Sequence, residues 1–483
     1  MRLRSTKGGN KHNFDPYGIY GSRSASRVLT ARRRREQQSI GLILIAVVAV
    51  GISLATKYWP RAANLAASRN VTLVLPPAAL PVVADSNSAE SVLVPTEAGR
   101  LLAIDIRTGS SRIVLESDFP LRVQPLADGE RAFLPAEDGT LFAINWQSGK
   151  LLWRATVGNS TSTRPCFIKA SVQLPPIVAT PPTVATAPPI AAASVVATAP
   201  TVTPSPTAPA LAASGTPIPP AAIQEELIVA GSDDGTVAAF QATDGRQVWK
   251  QNLPGGAGAG IIALPDVQHP AVLVPALGHS ATSGGLWCLD ANTGSVLWRF
   301  PKAEDSAAPQ LAPPAVGQSA DGVPLTYALD DSGAIFCVDA RSGHKIWKTY
   351  ARPAAGSPPN RAVMFRTEPL LMPVAGAVHV YAGGNDGALR CLDAFNGNLL
   401  WTKPFDSPLR RAPIAMTVAT GTERRQYVLV NTRTDLEMLD AQTGSPVYTM
   451  ETGGPAFCAG IDAAGHILAV SDGGDFETFE LPR

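Results

Sequence analysis

The sequence is poor in the residue patterns that carry catalysis or hold metal ions. It contains six histidines in 483 residues, and they show no pairing of the kind that metal ligands need. It has neither the G-x-S-x-G motif of a nucleophilic serine nor a phosphate-binding P-loop. We therefore predict no catalytic, cofactor-binding or metal-binding residues and expect no catalysis.

Cysteine is also scarce, which argues against redox chemistry and disulfides. Three cysteines occupy one position of a repeated pattern described below, where other copies have alanine, and a free cysteine packs as a small apolar residue. Their wide spacing excludes a compact metal site. We interpret them as buried structural residues. The five are Cys166, Cys288, Cys337, Cys391 and Cys458.

Several aspartates occur one to three residues before a glycine of the chain. Oxygen ligands suit calcium, but these segments lack the alternating carboxylates of a dedicated calcium loop. Aspartate before glycine is typical of hairpin turns, and we assign these residues to turns. They are Asp233, Asp234, Asp330, Asp331 and Asp386.

The net charge of +1 conceals a basic N-terminus. Residues 1–38 contain ten Lys or Arg and two acidic residues, which leaves 30 basic and 37 acidic side chains in the remainder. We expect 1–38 to be a disordered cytoplasmic tail. Its arginines 32–35 could contact nucleic acid, but their place beside an apolar run favours membrane topology and anionic lipid. No nucleic-acid partner is expected.

An uncharged run, "IGLILIAVVAVGISLAT", lies between Ser39 and Lys57. Its length is close to that of a membrane-spanning helix, and the preceding arginines place the N-terminus in the cytoplasm. We predict a transmembrane signal anchor over 39–57, with the rest of the chain extracytoplasmic, in the periplasm or at the cell surface. The alternatives are a signal peptide cleaved after Ala55 and a buried core element. No lipobox cysteine is near the run.

A second uncharged segment extends over 170–224 and is rich in Pro, Ala and Thr. Proline opposes both helix and sheet, so we predict a disordered insertion within the third copy of the repeat. Its Ser and Thr residues are candidates for O-linked sugars, and a tolerated low-complexity expansion is the alternative.

A repeated frame covers the rest of the chain. In "DDGTVAAFQATDGRQVW" a reference residue, Gln241, has a glycine six before it, a glycine four after it and a tryptophan eight after it. Apolar residues stand one and four before the reference residue. The frame occurs eight times in all, with the last copy cut short. The reference residues are Asp105, Asn145, Gln241, Asp290, Asp339, Asp393, Asp440 and Glu480.

Each copy predicts a four-stranded antiparallel sheet. Glycine turns separate short apolar runs, and the Asp or Asn at the reference position can accept hydrogen bonds from the turn backbone. Repetition of such sheets indicates a β-propeller. We therefore predict an all-β, eight-bladed propeller over 70–483. The eighth copy lacks its final strand, and we expect 71–76 ("VTLVLP") to supply it and close the ring.

The frame resembles the repeat of PQQ-like β-propellers, the quinoprotein-dehydrogenase-like family, and "LWCLDANTGSVLW" carries the resemblance best. Some members are enzymes that use pyrroloquinoline quinone with calcium. Others are non-enzymatic, such as the propeller lipoprotein of the outer-membrane barrel-assembly machinery. The enzymes typically hold the quinone against a disulfide between adjacent cysteines, and this chain has no Cys-Cys pair.

The resemblance also implies roles for the repeated residues. The repeat tryptophans dock neighbouring blades, with Ile113 as the substitute in the first copy. The implied docking residues are Trp153, Trp249, Trp298, Trp347, Trp401 and Tyr448. The turn residues are Gly139, Gly149, Gly235, Gly245, Gly284, Gly294, Gly333, Gly343, Gly387, Gly397 and Gly444.

The leading functional hypothesis is a membrane-anchored scaffold that binds proteins or cell-envelope components. Two alternatives stay open. One is a quinone-binding oxidoreductase, which would need carboxylates and an Arg or Lys converging on the central channel. The other is a sensor of an envelope ligand.

Overall fold

The structure is a computed structural model that describes residues 63–481, except 74, 76, 87–88, 173–222, 259, 265–268, 279–283, 303–311, 320, 354–362, 421–422, 453, 455 and 463. The predicted tail (1–38), the predicted membrane span (39–57) and most of the insertion lie outside the described residues. Within the described part of the chain, no helix is long and apolar enough to cross a membrane.

Strands dominate the described residues and form eight sheets. The chain begins with β1 (Ala63–Leu65) and β2 (Arg69–Thr72). Blade 1 follows with β3 (Val82–Ser86), β4 (Ala89–Pro95), β5 (Arg100–Asp105) and β6 (Ser111–Glu116). Blade 2 has β7 (Leu126–Asp128), β8 (Arg131–Pro135), β9 (Thr140–Asn145) and β10 (Lys150–Thr156). Blade 3 has β11 (Cys166–Val172), β12 (Ile223–Gly231), β13 (Thr236–Gln241) and β14 (Gln247–Asn252).

The next three blades repeat the pattern. Blade 4 has β15 (Gly256–Ala257), β16 (Ile262–Leu264), β17 (Ala271–Leu277), β18 (Gly285–Asp290) and β19 (Val296–Phe300). Blade 5 has β20 (Ala315–Gln318), β21 (Pro324–Leu329), β22 (Ala334–Asp339) and β23 (Lys345–Tyr350). Blade 6 has β24 (Leu370–Val374), β25 (Ala377–Gly383), β26 (Ala388–Asp393) and β27 (Leu399–Pro404).

The last two blades bring the chain back to its beginning. Blade 7 has β28 (Ile414–Thr420), β29 (Glu423–Asn431), β30 (Asp435–Asp440) and β31 (Pro446–Glu451). Blade 8 has β32 (Ala456–Ile461), β33 (Ile467–Ser471) and β34 (Asp475–Phe479). Its fourth strand is β2, which pairs antiparallel with β34 from Arg69 opposite Thr478 to Thr72 opposite Asp475. The paired residues begin two positions before the predicted strand 71–76 and end at Thr72, and the backbone N–H of Leu73 then donates to Gly474 O over 2.6 Å.

Three details depart from the predicted strands. The first is β1, which pairs parallel with β31 as a fifth strand of blade 7. It was not predicted, because a strand of three residues is too short to show an alternating sequence pattern. In blade 4 the first strand is split into β15 and β16, which both pair with β17. The insertion is shorter than 170–224, because Val172 still pairs with Ile223 and the two strands continue into it from both sides.

The core consists of eight apolar clusters, each shared by two neighbouring blades. One of them joins blade 8 to blade 1 through Leu73, Val470 and Val92, so the ring is closed by the same packing that holds its other blades. The residues four before each reference position are all fully buried: Leu101, Leu141, Val237, Leu286, Ile335, Leu389, Leu436 and Phe476.

Antiparallel pairing gives the ring two faces. The turns after each first and third strand lie on one face, which we call the turn face. The turns after each second strand and the loops between blades lie on the other, the loop face. The first strands of neighbouring blades contact one another at seven of the eight junctions. Examples are β3 with β7 between blades 1 and 2, and β32 with β3 between blades 8 and 1. They therefore surround the central opening.

Candidate functional site

The loops between blades bring polar side chains to the central opening. Each of these loops leads into a first strand. In three of them a polar residue stands before the proline that directly precedes the first strand: Gln124, Arg164 and Glu368. The loop containing Arg164 is fixed against blade 4. Thr163 Oγ1 donates to Ala257 O over 3.2 Å, and the backbone N–H of Ile261 donates to Arg164 O over 3.1 Å.

These side chains join four blades in one network. Arg164 Nη2 lies 3.1 Å from Glu368 Oε2, and Arg164 Nη1 donates to Gln124 Oε1 over 3.1 Å. Gln124 Nε2 donates in turn to Pro81 O, before blade 1, over 3.2 Å. Arg164 precedes blade 3 and Glu368 precedes blade 6, so their ion pair links blades that are not neighbours. Such a contact has to cross the central opening.

Burial makes this ion pair more than a surface contact. The side chains of Arg164 and Glu368 are only 33% and 29% exposed. Burial raises the pKa of Glu368, and the positive charge and hydrogen bond of Arg164 oppose that increase. Desolvation of a charge is costly unless a partner compensates for it. Arg164 is therefore the group that stabilises the ionised carboxylate of Glu368 in this partly buried position.

Arginines of the interblade loops also pair with acids of the turns on the same face. Arg122 bridges two blades, with 2.8 Å from Nε to Glu97 Oε2 and 2.9 Å from Nη1 to Glu137 Oε1. Weaker pairs of 3.8 Å and 3.9 Å join Arg366 to Asp331 and Arg411 to Asp472. Burial raises the pKa of Asp331 and lowers that of Arg411.

A cleft of about 1000 Å³ opens on the loop face beside blades 6, 7 and 8. Its lining mixes both signs of charge, including Lys403, Arg410 and Arg433 with Asp406 and Glu437. Burial raises the pKa of Glu437, against the effect of nearby Lys403. The loop face thus presents fixed charges of both signs and suits a polar, charged partner surface.

Reactive groups are not part of this arrangement in the described residues. Four cysteines, Cys166, Cys288, Cys337 and Cys391, are buried and free, and burial raises the pKa of each thiol to about 12. No group of three or more His, Cys, Asp or Glu side chains within the described ranges could hold a metal ion. The side chain of Cys458 is outside the description.

The predicted turn aspartates have hydrogen-bond or ion-pair partners close by in the chain or in adjacent loops. Asp234 Oδ1 accepts from the backbone N–H of Thr236 over 2.9 Å, and fully buried Asp330 accepts from the N–H of Ser332 and of Ala334. Asp386 forms a buried ion pair with Arg390. The six Asp and Asn reference residues also accept from their own turns; Asp290 Oδ1, for example, accepts from the N–H of Thr293 over 2.9 Å.

The predicted tryptophans connect neighbouring blades near the turn face, away from the candidate site. The indole N–H of four of them donates to the carbonyl that follows the reference residue of the next blade. The pairs are Trp153 to Ala242 at 3.0 Å, Trp249 to Ala291 at 2.7 Å, Trp298 to Ala340 at 3.0 Å and Trp347 to Ala394 at 3.0 Å. Tyr448 packs in the cluster between blades 7 and 8.

Five of the turn glycines, each four residues after a reference residue, fit against the indole of the preceding blade: Gly245, Gly294, Gly343, Gly397 and Gly444. Gly245 has φ +74°, and a Cβ there would lie 2.6 Å from Cδ2 of Trp153. Only glycine combines that backbone with that approach. Ten of the predicted glycines have φ from +69° to +90°: Gly139, Gly149, Gly235, Gly245, Gly294, Gly333, Gly343, Gly387, Gly397 and Gly444. In blade 4 it is Gly285, next to the predicted Gly284, that has φ +120°.

Other side chains take the place of tryptophan at three junctions. Arg69 donates to Ile106 O and Arg112 donates to Trp146 O, over 2.7 Å and 2.8 Å. Tyr381 Oη donates to Ala441 O over 2.8 Å, while Trp401 Nε1 is buried with no partner among the described residues.

The substitute expected in blade 1, Ile113, is therefore wrong. It is 47% exposed, and its neighbour Arg112 makes the contact. The missed signal is the constant position of the acceptor, one residue after each reference residue.

The geometry defines a class: an eight-bladed propeller of PQQ-like repeats with an ionic loop face. The family model described as "Outer membrane protein assembly factor BamB" matches residues 70–180 and 194–450, more than half of the chain. The chain belongs to that family. No curated protein matches it in sequence.

Solved structures show the same fold at low sequence identity. BamB from Moraxella catarrhalis is 15% identical, with a TM-score of 0.52, 87% of this chain and 99% of that chain covered. A europium-containing methanol dehydrogenase is 12% identical, with a TM-score of 0.53, 83% of this chain and 84% of that chain covered. Sqt1 from Saccharomyces cerevisiae is 9% identical, with a TM-score of 0.60, 87% of this chain and 100% of that chain covered. Both a BamB and a dehydrogenase share the architecture, so the architecture alone does not assign a function.

Proposed function

We propose that this chain is a membrane-anchored, extracytoplasmic scaffold whose loop face binds a protein of the cell envelope. The observation that carries the proposal is the ionic network of the loop face, where Arg164, Glu368 and Gln124 are held by one another. A surface of fixed, mutually oriented charges suits recognition of a complementary protein surface. Membership of the family described as an outer membrane assembly factor supports this proposal.

The anchor and the compartment belong to the same proposal. The uncharged run within 39–57 and the arginines before it support a single transmembrane helix with the propeller outside the cytoplasm. Resistance of the full-length chain to alkaline extraction, together with digestion of the propeller by a protease added outside the cytoplasmic membrane, tests this part.

A photo-crosslinking amino acid in the full-length chain, in intact cells, tests the loop face. Arg410 is exposed on that face, and Asn396 is an exposed control on the turn face. We expect the crosslinker at position 410 to give a discrete envelope-protein adduct that position 396 does not give. An adduct from position 396 alone would place the partner on the wrong face and overturn the assignment.

The quinone alternative has one observation in its favour, which is the convergence of an arginine and a glutamate on the opening. The described residues there do not fit the group well. Pyrroloquinoline quinone is a polycarboxylate, yet the network offers it one arginine whose charge Glu368 already neutralises. Titration of the purified full-length chain with the quinone, followed by fluorescence, tests this alternative. Saturable binding with redox activity would displace the scaffold proposal.

A further inference from the structure

Blade 7 departs from the repeated frame at its hairpin on the loop face. The other seven copies have glycine six before the reference residue, and this copy has Thr434. The hairpin joins β29 to β30 and lines the cleft of about 1000 Å³ beside blades 6, 7 and 8. Loops held by a rigid scaffold commonly carry binding residues, so this hairpin is a candidate binding element.

The corresponding hairpin of blade 6 contains a closed ion pair. Asp386, seven before the reference residue, and Arg390, three before it, are almost fully buried. Arg390 Nη1 donates to Asp386 Oδ1 over 3.0 Å, and Arg390 Nη2 donates to Arg352 O over 2.7 Å. A desolvated charge requires such a partner, and blade 6 supplies it internally.

Blade 7 carries the same two charges in exchanged positions. Arg433 stands seven before the reference residue and Glu437 three before it. Both line the cleft, with Arg433 exposed and Glu437 half-buried. Among the described residues, neither side chain forms a hydrogen bond or an ion pair. The two charges that blade 6 pairs internally therefore stand open to a ligand in blade 7.

Two further carboxylates lie near Glu437. Burial raises the pKa of Glu437, Lys403 opposes that increase, and Asp435 and Asp406 add to it. Lys403 Nζ also lies 5.6 Å from the centre of the Phe405 ring. One lysine thus faces three carboxylates, so this part of the cleft favours a cationic group.

Two arginines lie at the inner end of the cleft. The loop from β27 to β28 crosses from the outer strand of blade 6 to the inner strand of blade 7. Asp406, near the start of this loop, therefore lies further out than Arg410 and Arg411. Arg411 is 32% exposed, with Asp472 at 3.9 Å. Burial lowers the pKa of Arg411, an effect that Asp472 opposes and Arg410 reinforces, so this part favours an anionic group.

We propose that the cleft binds a segment of a partner protein that carries a basic and an acidic side chain close together. The basic group pairs with Glu437, and the acidic group pairs with Arg433 and Arg410. The volume of about 1000 Å³ is at the upper end for pockets that hold small ligands, which leaves room for several residues. This inference rests on the function proposed above, because the cleft belongs to the loop face.

A fluorescent hexapeptide of alternating lysine and glutamate tests the proposal on the full-length chain in detergent. Fluorescence anisotropy measures its binding. Hexalysine and hexaglutamate with the same label should bind about tenfold more weakly or not at all, because each meets a group of like charges. Equal binding of the three peptides, or no binding of the alternating peptide, would overturn the proposal.

The double variant Arg433→Asp and Glu437→Arg gives blade 7 the charges of blade 6. It should close the ion pair and weaken binding of the alternating peptide about tenfold or more, with no loss in the free energy of unfolding measured in urea. Glu437→Gln alone should also weaken binding about tenfold. Glu97→Gln, on the loop face of blade 1, is the matched control and should leave binding unchanged. Unchanged binding by the first two variants would refute the role of the cleft.

The crosslinking experiment at position 410 separates this inference from the proposed function. An adduct that is lost in the double variant supports the cleft as the binding site. An adduct that persists there would overturn the role of the cleft and leave the scaffold proposal standing. No adduct from the chain with its native charges would overturn the scaffold proposal itself.

Discussion

The two faces of the ring are built by different rules. On the turn face, one set of contacts recurs from blade to blade: a reference residue holds a turn, a glycine follows it, and the next carbonyl accepts a hydrogen bond from the preceding blade. On the loop face, no two interblade segments are alike. Three of them supply the side chains of the network, Gln124, Arg164 and Glu368, and a fourth supplies Pro81 O.

The difference teaches where to look for function in a repeat protein. A residue that returns in every copy is explained by blade packing, which every copy needs. A residue that appears in one loop, with a buried charge and a partner on a distant blade, has no such explanation. Substitutions on the turn face should therefore affect stability, and those on the loop face should affect stability little.

The largest effect is expected from Gly245→Ala. The substitution combines an unfavourable φ of +74° with a methyl group inside the Trp153 ring contact, so we expect a loss of about 3 kcal/mol in the free energy of unfolding. Gly322→Ala is the matched control, because Gly322 also has φ +74° but nothing lies within 4 Å of the added Cβ. It should cost about 1 kcal/mol. Urea unfolding measures both, and equal losses would contradict the docking role of this glycine.

A smaller effect should separate two tryptophans. Trp298→Phe leaves the buried carbonyl of Ala340 without its donor, whereas Trp401→Phe removes an indole N–H that has no partner among the described residues. We expect Trp298→Phe to lower the free energy of unfolding by about 1 kcal/mol more than Trp401→Phe. Thermal unfolding of the two variants measures the difference, and a larger loss for Trp401→Phe would refute the hydrogen-bond argument.

At the junction of blades 1 and 2, Arg112→Met should lower the free energy of unfolding by about 1 kcal/mol, because it removes the hydrogen bond to Trp146 O. Ile113→Ala, one position away, should change stability by less than about 0.5 kcal/mol, since surface substitutions rarely do more. Chemical denaturation tests the pair. The reverse order would restore Ile113 as the docking residue.

The smallest effect on stability is expected from Glu368→Gln, and it should appear as a change in pH dependence. The folded-state pKa of Glu368 is raised by burial above 4.5, so the folded state binds more protons than the unfolded state in that range. Its contribution to stability therefore falls as pH rises through 4.5 to the folded pKa. The stability of the Glu368→Gln variant should not show this decline with rising pH, and urea unfolding at several pH values measures it. An unchanged slope of stability against pH would show that Glu368 is not buried as described.

Much of the blade packing and of the turn face could be predicted from the sequence, because their contacts repeat. The eight buried apolar positions from Leu101 to Phe476 share one offset, and the glycines share a second. The donors Arg69, Arg112 and Tyr381 were not predicted, because the repeated frame places the acceptor carbonyl but does not indicate which side chain of the preceding blade reaches it. Arginine and tyrosine side chains thus donate the hydrogen bond that tryptophan donates at the other junctions.

The loop-face network could not be predicted for a different reason. Arg164 and Glu368 are 204 positions apart and lie outside the repeated frame, so nothing in the sequence relates them. Only the curvature of the closed ring brings their loops together.

The closing strand β2 has a consequence for the order in which the chain is made. The hydrogen bond from Ser68 Oγ to Thr478 O joins residues 410 positions apart. At about 5–20 residues per second, a ribosome needs about 20–80 s to travel that distance. Throughout that interval β2 has been synthesised but its partner strand has not, so Leu73 and Val71 remain without the blade that will cover them. Ring closure therefore comes at the end of synthesis, and until then the edge of β2 is open to pairing with other strands.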